Sequence, residues 1–349
     1  MTRAEINRFL STIKPYKGYV TGDVIDMRYF TGRVLGKSDK NFMMVRGGAV
    51  TMFCAPIYYS AVKAALPGVK TVLCKSREDM AVSVAGYIKK HKISGLIFDK
   101  NKEFFEAGDI LRRAGVKPEA AVVSAARTVK TPSEIKLISR ACNIAFRAYK
   151  YVRPRVKTGV TEKQIALMLE DFMMKEGAEK TSFDTIVAFG KNSAETHHSP
   201  GPTRLKARDA VLMDFGCVVG GYCSDITRSW WHGGESPAEY QKIWDTVDRA
   251  QRAAFEKIKP GFSAKAADGI ARKIIADNGY GDFVHSLGHG VGLNIHEAPS
   301  LSPRAGDKDI LRENMVFTLE PGIYLTGKYG VRLEETVLLT KTGCKILTK

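Results

Sequence analysis

A chain of 349 residues with 44% hydrophobic, 26% charged and 9% aromatic residues is long enough for two domains. That composition excludes a disordered chain, a collagen-like repeat and a coiled-coil rod. Its 54 Lys and Arg against 37 Asp and Glu leave a formal charge of +17, spread too evenly for a nucleic-acid footprint, so no nucleic acid is expected as a partner.

The opening Met1–Arg8 carries charges where a signal peptide needs an apolar core. Asn41 to Phe53 holds two apolar runs around Arg46-Gly47-Gly48, the pattern of a β-hairpin. The longest uncharged stretch, Gly47 to Val62, is shorter than a membrane span and is broken by Gly47, Gly48 and Pro56. Ile57–Ala65 is expected as a helix, Thr71–Cys74 as a short strand, Met80–Lys90 as an amphipathic helix and Gly95–Phe98 as a buried strand. This alternation predicts an α/β domain over residues 1–126, with no cluster of acids, histidines or cysteines.

A second domain is expected over residues 127–349. Thr131-Pro132-Ser133-Glu134 has the N-cap, first-turn proline and returning glutamate of a capping box, ahead of a helix from Ile135 to Tyr151. Thr161 to Gln164 repeats the device and opens a helix through Met174 that stops near Gly177. Strands are expected at Thr185–Phe189, Ala210–Phe215 and Cys223–Trp230, and helices at Ala238–Ile258 and Ala264–Asn278. Val316 to Leu347 reads as strand and turn. Mixed helices and antiparallel hairpins make this domain α+β. Cysteines 54, 74, 142, 217, 223 and 344 form no CxxC pair and read as buried thiols of a reducing, cytoplasmic compartment.

Chemistry concentrates in the second domain. Strands flank Gly220-Gly221, and a four-residue loop Val218–Gly221 would set Cys217 against Tyr222 and Asp214 directly opposite Asp225, with Cβ atoms about 5 Å apart. Two carboxylates that close, within runs of Val, Leu, Met and Phe, repel unless one holds a proton or a cation lies between them. His285, His289 and His296 are three of seven histidines gathered within twelve positions among glycines, a metal-binding or catalytic cluster whose spacing does not separate their roles. Glu320 stands in an apolar run before Pro321-Gly322. Strict alternation over Val331–Glu335 puts Glu334 on the face of Arg332, and Glu335 on the face of Leu333. Two Asp, at least one His and two Glu form a mostly oxygen donor set suited to Mn, Co or Zn. The set exceeds the needs of one catalytic zinc and fits a two-metal site.

Asp214 and Asp225 eleven apart, Gly-His-Gly-Val-Gly-Leu-Asn-Ile-His-Glu at 288–297, Glu-Pro-Gly-Ile-Tyr at 320–324 and Val-Arg-Leu-Glu at 331–334 together resemble the pita-bread metallopeptidases. Within these the likeness is to the Xaa-Pro dipeptidase (prolidase) and aminopeptidase P types. Asp26-Met-Arg-Tyr-Phe-Thr-Gly32 is similar to the opening of their N-terminal domain, and Arg127–Ile135 to the start of their catalytic domain. The resemblance covers essentially the whole chain. It implies a creatinase/prolidase-like α/β domain over 1–126 and an α+β pita-bread (creatinase/aminopeptidase) catalytic domain over 127–349.

The resemblance further implies that Asp214, Asp225, His289, Glu320 and Glu334 hold two divalent ions, Mn or Co with Zn a further choice, Asp225 and Glu334 bridging both. The implied reaction is hydrolysis of an Xaa-Pro bond by water activated on that centre. Glu320 would act as base and His296 would steady the tetrahedral oxyanion. His197, in preference to His198, would be a further substrate-contacting histidine. Tyr324 and His285 are candidates for a proline slot, proline-containing di- or oligopeptides for substrates, and a homodimer for the assembly. Ser300 stands where many archaeal-type prolidases place an arginine suited to a dipeptide carboxylate, which leaves room for longer peptides. Glu334-Glu335 stands where Glu-Asp is common. The alternative is a non-peptidase on the same scaffold: a creatinase-like amidinohydrolase that works without metals, or a binding protein. Retention of all five ligand types speaks against both.

Overall fold

The computed structural model describes Ile6, Phe9, Ser11 and residues 18–33, 41–99, 105–116, 119–121, 124–281 and 283–349. Apart from Ile6, the Met1–Arg8 segment lies outside the described residues. The chain divides into two compact units, Met1–Arg127 and Thr128–Lys349.

The first unit is built on a six-stranded mixed sheet. Its strands are β1 (Gly18–Thr21), β2 (Asn41–Arg46), β3 (Ala49–Cys54), β4 (Lys70–Leu73), β5 (Leu96–Asp99) and β6 (Glu119–Ala121), in the order β4-β3-β2-β1-β5-β6. Helices α1 (Val24–Thr31), α2 (Pro56–Ala65), α3 (Arg77–Lys90) and α4 (Phe105–Arg113) connect them. The expected hairpin is β2 and β3, turned by Gly47-Gly48 with φ of 55° and 77°, values that glycine adopts without steric penalty. Val20, Phe42, Met44, Phe53 and Leu96 pack against Met80 and Val84 of α3. The expected α/β character holds.

In the second unit both capping boxes form. Thr131 and Glu134 open α5 (Pro132–Val152), and Thr161 and Gln164 open α6 (Glu162–Lys175). The strands β7 (Lys180–Thr181), β8 (Ile186–Phe189), β9 (Asp209–Phe215), β10 (Cys217–Val219), β11 (Tyr222–Cys223) and β12 (Ile226–His232) follow. Ile144, Ala148, Leu169 and Met173 of the two helices bury their apolar stripe against Val211, Met213 and Phe215 of β9. Next come α7 (Ala238–Lys257), α8 (Ala264–Asp277), β13 (Gly288–Gly290), β14 (Glu297–Leu301), β15 (Val316–Leu319), β16 (Gly322–Leu325), β17 (Tyr329–Arg332), β18 (Glu335–Thr340) and β19 (Gly343–Ile346). Ile243, Val247 and Ile275 pack on Phe317, Leu319 and Val337. Each such fully buried side chain contributes about 1.5–3 kcal/mol of transfer free energy. The helical layers thus cover one side of the strands and leave their polar residues to converge elsewhere.

One register differs from expectation. Gly220 and Gly221, with φ of 57° and 85°, make a two-residue turn, so Val219 pairs with Tyr222 and Val218 with Cys223. The same register carries Asp214 opposite Thr227, not Asp225. Two glycines suffice for the turn, and Val218 and Val219 stay in the strand. The shift is two residues, which preserves the side-chain period, and both aspartates still line one cavity. The strand expected over Cys223–Trp230 is broken at Ser224-Asp225, where a Cβ on Gly216 would lie 1.9 Å from the Ser224 carbonyl. The strands β13 and β14, hidden from pattern reading by their glycines and Pro299, join the sheet ordered β14-β13-β15-β18-β19.

Candidate metal centre

Strand ends position the chemistry. Asp214 sits one residue before the end of β9, Asp225 in the break between β11 and β12, and His289 in the middle of β13. Glu320 follows β15 directly, and Glu334 lies between β17 and β18. All five side chains line one cavity of ≈ 600 Å³, together with His197, His285, His296 and Arg332. His289 Nε2 is 3.3 Å from Glu320 Oε1 and 3.6 Å from Asp225 Oδ2. Donor atoms of Asp225, His289 and Glu334 lie within 4.8 Å of one another.

Four carboxylates gathered out of water repel. Desolvation, then the charges of Glu334, Asp214 and Glu320, push Asp225 well above the usual carboxylate range. Glu334 is raised in the same way, by desolvation and by Glu320 and Asp214. Desolvation lifts Glu320 to about 8 against the pull of Arg332. His289 is driven down to about 3 by desolvation and by His296, so it is a neutral imidazole. Its Nδ1 donates to the Gly290 carbonyl at 3.2 Å, which turns the lone pair of Nε2 toward the carboxylates. Among the described residues, Oδ1 of Asp214 and Oδ1 of Asp225 are buried without a hydrogen-bond partner. An acceptor left so costs about 1–3 kcal/mol, and more when charged. Divalent cations fit this set: they would satisfy the orphaned oxygens, offset the repulsion, and find mostly oxygen donors with one imidazole.

Three threonine hydroxyls and one guanidinium hold the acids in place. Thr227 donates to Glu334 Oε2 at 2.7 Å, Thr318 to Glu320 Oε1 at 3.1 Å, and Thr336 to the Asp225 carbonyl at 2.7 Å. Sequence reasoning missed these threonines, yet a signal exists. Asp225-x-Thr227, Thr318-x-Glu320 and Glu334-x-Thr336 each put a threonine two positions from an acid, on the same face of an extended chain. Arg332 was expected on the face of Glu334, and both side chains meet at the Thr227 hydroxyl, which accepts from Arg332 Nε at 3.2 Å. Glu335 instead accepts from Arg228 Nη2 at 2.7 Å and from Thr348.

The histidines separate by environment. His296 packs edge-on to His289 with ring centroids 4.3 Å apart, and desolvation with the nearby His197 lowers its pKa below the usual 6.5. His198 has both ring nitrogens engaged, Nε2 3.0 Å from Glu162 Oε2 and Nδ1 2.9 Å from Glu195 Oε2. His285 Nδ1 donates to the Ser286 carbonyl, so its Nε2 accepts from the Tyr324 hydroxyl at 2.8 Å. That hydroxyl also accepts from Arg332 Nη1 at 3.0 Å. Of the two slot candidates, His285 lines the cavity, and Tyr324 is hydrogen-bonded to it and to Arg332. Ser300 is exposed, paired with His289 across β13 and β14. Next to His296, Glu297 is held by the wholly buried Lys130 at 2.7 Å.

Residues 136–341 match metallopeptidase family M24. The chain is 37% identical over 337 residues to an Xaa-Pro dipeptidase of Pyrococcus furiosus, covering 93% of this chain and 91% of that protein. It is similar in structure to an Xaa-Pro dipeptidase from Bacillus anthracis, with TM-score 0.89 and 32% identity over 99% of this chain and 97% of the other. An X-Pro aminopeptidase from Thermotoga maritima matches with TM-score 0.87 and 33% identity over 98% of this chain and 97% of the other.

Proposed function

The chain belongs to metallopeptidase family M24 and has the pita-bread fold of its prolidase-type enzymes, and from that premise we propose that it hydrolyses Xaa-Pro peptide bonds on two divalent cations. The observation that carries this reading is the convergence of Asp214, Asp225, His289, Glu320 and Glu334 on one cavity, with two buried aspartate oxygens lacking partners. In this reading Asp214, Asp225, His289, Glu320 and Glu334 would hold the cations. Mn or Co is the expected metal and Zn a further choice, because the donors are mostly carboxylate oxygens. The catalytic domain is proposed over 127–349, following in sequence a creatinase/prolidase-like domain over 1–126.

When bound, such cations supply Lewis acidity for the scissile carbonyl and make water acidic near neutral pH. Glu320 takes the proton from water through Oε2, the oxygen that Thr318 does not hold, and passes it to the prolyl nitrogen. That nitrogen carries no hydrogen in the peptide and leaves only once protonated. His296, kept neutral, donates an imidazole N–H to the developing oxyanion. His197 contacts the substrate beside it. Phe183, Ile186 and Pro200 give the cavity an apolar side for a proline ring. Small, neutral Ser300 leaves room for peptides longer than two residues.

A cytoplasmic location is supported by the cysteines, all six of which are free thiols. The assembly is proposed as a homodimer. Among the described residues no helix is long and apolar enough to cross a membrane.

The test is hydrolysis of Ala-Pro and Ala-Pro-Pro by protein stripped with chelator and reloaded with Mn, Co or Zn. Cleavage that depends on reloading is expected. Silence toward both peptides at full metal occupancy overturns the reading. Peptide turnover that survives exhaustive chelation removes the cations from the reading, and hydrolysis of an amidino substrate under those conditions favours the amidinohydrolase alternative.

A further inference from the structure

Glu162 is the first residue of α6, directly after the capping Thr161. An acid there ordinarily faces solvent and favours the helix dipole. Here its side chain is fully withdrawn from solvent, and both oxygens are saturated. Oε1 accepts from the Phe189 backbone N–H at 2.9 Å and from Asn192 Nδ2 at 2.8 Å. Oε2 accepts from His198 Nε2 at 3.0 Å and from the Gly201 backbone N–H at 3.0 Å. Four donors fill the four acceptor sites of a carboxylate. Among the described residues its one ionic partner is His198.

Those donors lie along a single segment, from Phe189 at the end of β8 through the following loop to Gly201, and His197 sits inside it on the cavity wall. The loop is also pinned immediately before His197, where the Thr196 carbonyl accepts from Arg332 Nη1 at 3.3 Å. His197 therefore stands between two fixed neighbours, Thr196 held from the acid cluster and His198 held from α6. We infer that Glu162 is a positioning residue, setting the place of His197 in the cavity by clamping the loop on both sides of it. The inference rests on the peptidase reading, in which His197 contacts substrate. It also gives adjacent histidines different duties: His197 faces the substrate and His198 is part of the clamp.

A carboxylate remote from the chemistry matters because a misplacement of about 1 Å can cost up to about 100-fold in rate. The experiment uses the full chain loaded with metal and the substrates Ala-Pro and Ala-Pro-Pro. Glu162→Gln keeps the shape but turns one acceptor into an NH2 group that faces two donors. It is expected to lower kcat/KM by about 10–100-fold with metal content unchanged. In a His197→Ala background the same change should cost less than about two-fold more, because residues acting through one another are non-additive. Should Glu162→Gln fail to fold, His198→Gln, which leaves the other three bonds to Glu162, carries the test with a smaller loss that likewise vanishes in the His197→Ala background.

Unchanged kinetics in these variants, or losses that add in full to His197→Ala, overturn the inference. An inactive loaded wild-type chain would instead remove the peptidase reading, and this inference with it.

Discussion

Arg332 donates through Nη2 to Oδ2 of Asp214, both side chains withdrawn from water, and the pairing leaves Asp214 Oδ1 without a partner. One guanidinium thus partly neutralises four carboxylates and also decides which oxygen is left over for a cation. Desolvation opposes its charge, but the Asp214 and Glu320 carboxylates and the Tyr324 hydroxyl that accepts from it prevail, so Arg332 stays protonated at any accessible pH.

Replacement of Arg332 by Met should therefore destabilise the metal-free protein by about 3–5 kcal/mol, since it strands a buried charge. Urea unfolding of metal-free wild type and variant checks this. A variant as stable as the wild type would show that the acids do not need the guanidinium.

Chelation should lower the melting temperature, and reloading should restore it. A ligand that binds only the folded chain at 100 times its Kd contributes about 2.7 kcal/mol. Differential scanning fluorimetry across a Mn or Co titration reads the shift. A melting temperature indifferent to metal contradicts the reading of orphaned oxygens as ligands.

Asp225→Asn should abolish turnover on Ala-Pro while leaving the fold intact. The exchange removes a charge that desolvation and three neighbouring carboxylates already oppose, so the metal-free variant should melt no lower than wild type. Activity assays, metal analysis and melting curves check it together. Wild-type activity would exclude Asp225 from the centre.

His296→Ala should reduce kcat by about 10²–10³ with metal content unchanged, the loss typical of one oxyanion donor. Steady-state kinetics with metal analysis checks it. A neutral effect would reassign this residue.

Stability near His198 should depend on pH in a defined direction. Desolvation opposes its charge, but the hydrogen bonds to Glu162 and Glu195 prevail and raise its pKa above 6.5. A pKa raised on folding gives stability that is complete below the unfolded value and fades as pH climbs through the folded one. The melting-temperature gap between wild type and His198→Gln should accordingly be widest below pH 6.5 and narrow on the alkaline side. A gap that widens with pH would contradict the charged pairing.

Local signals were legible. The capping boxes at Thr131 and Thr161 each span four residues, and the hairpin at Gly47-Gly48 needs only two left-handed positions. Face assignments survived even where register did not: a turn two residues shorter moved the partner of Asp214 from Asp225 to Thr227 but kept the alternation. Strands rich in glycine, such as β13, carried no readable period, so the surroundings of His289 could not be inferred.

The amino-acid order by itself determined the main helices with their capping, the Gly47-Gly48 hairpin, and the inventory of acids and histidines, because those depend on contacts within a few residues. That both ring nitrogens of His198 are engaged by Glu162 and Glu195, which acid oxygens lack partners, and that Glu162 bonds along the 189–201 segment were decided only by folding. These depend on groups up to 136 positions apart, as in Thr196 and Arg332, whose meeting is set by how the helices and sheets pack.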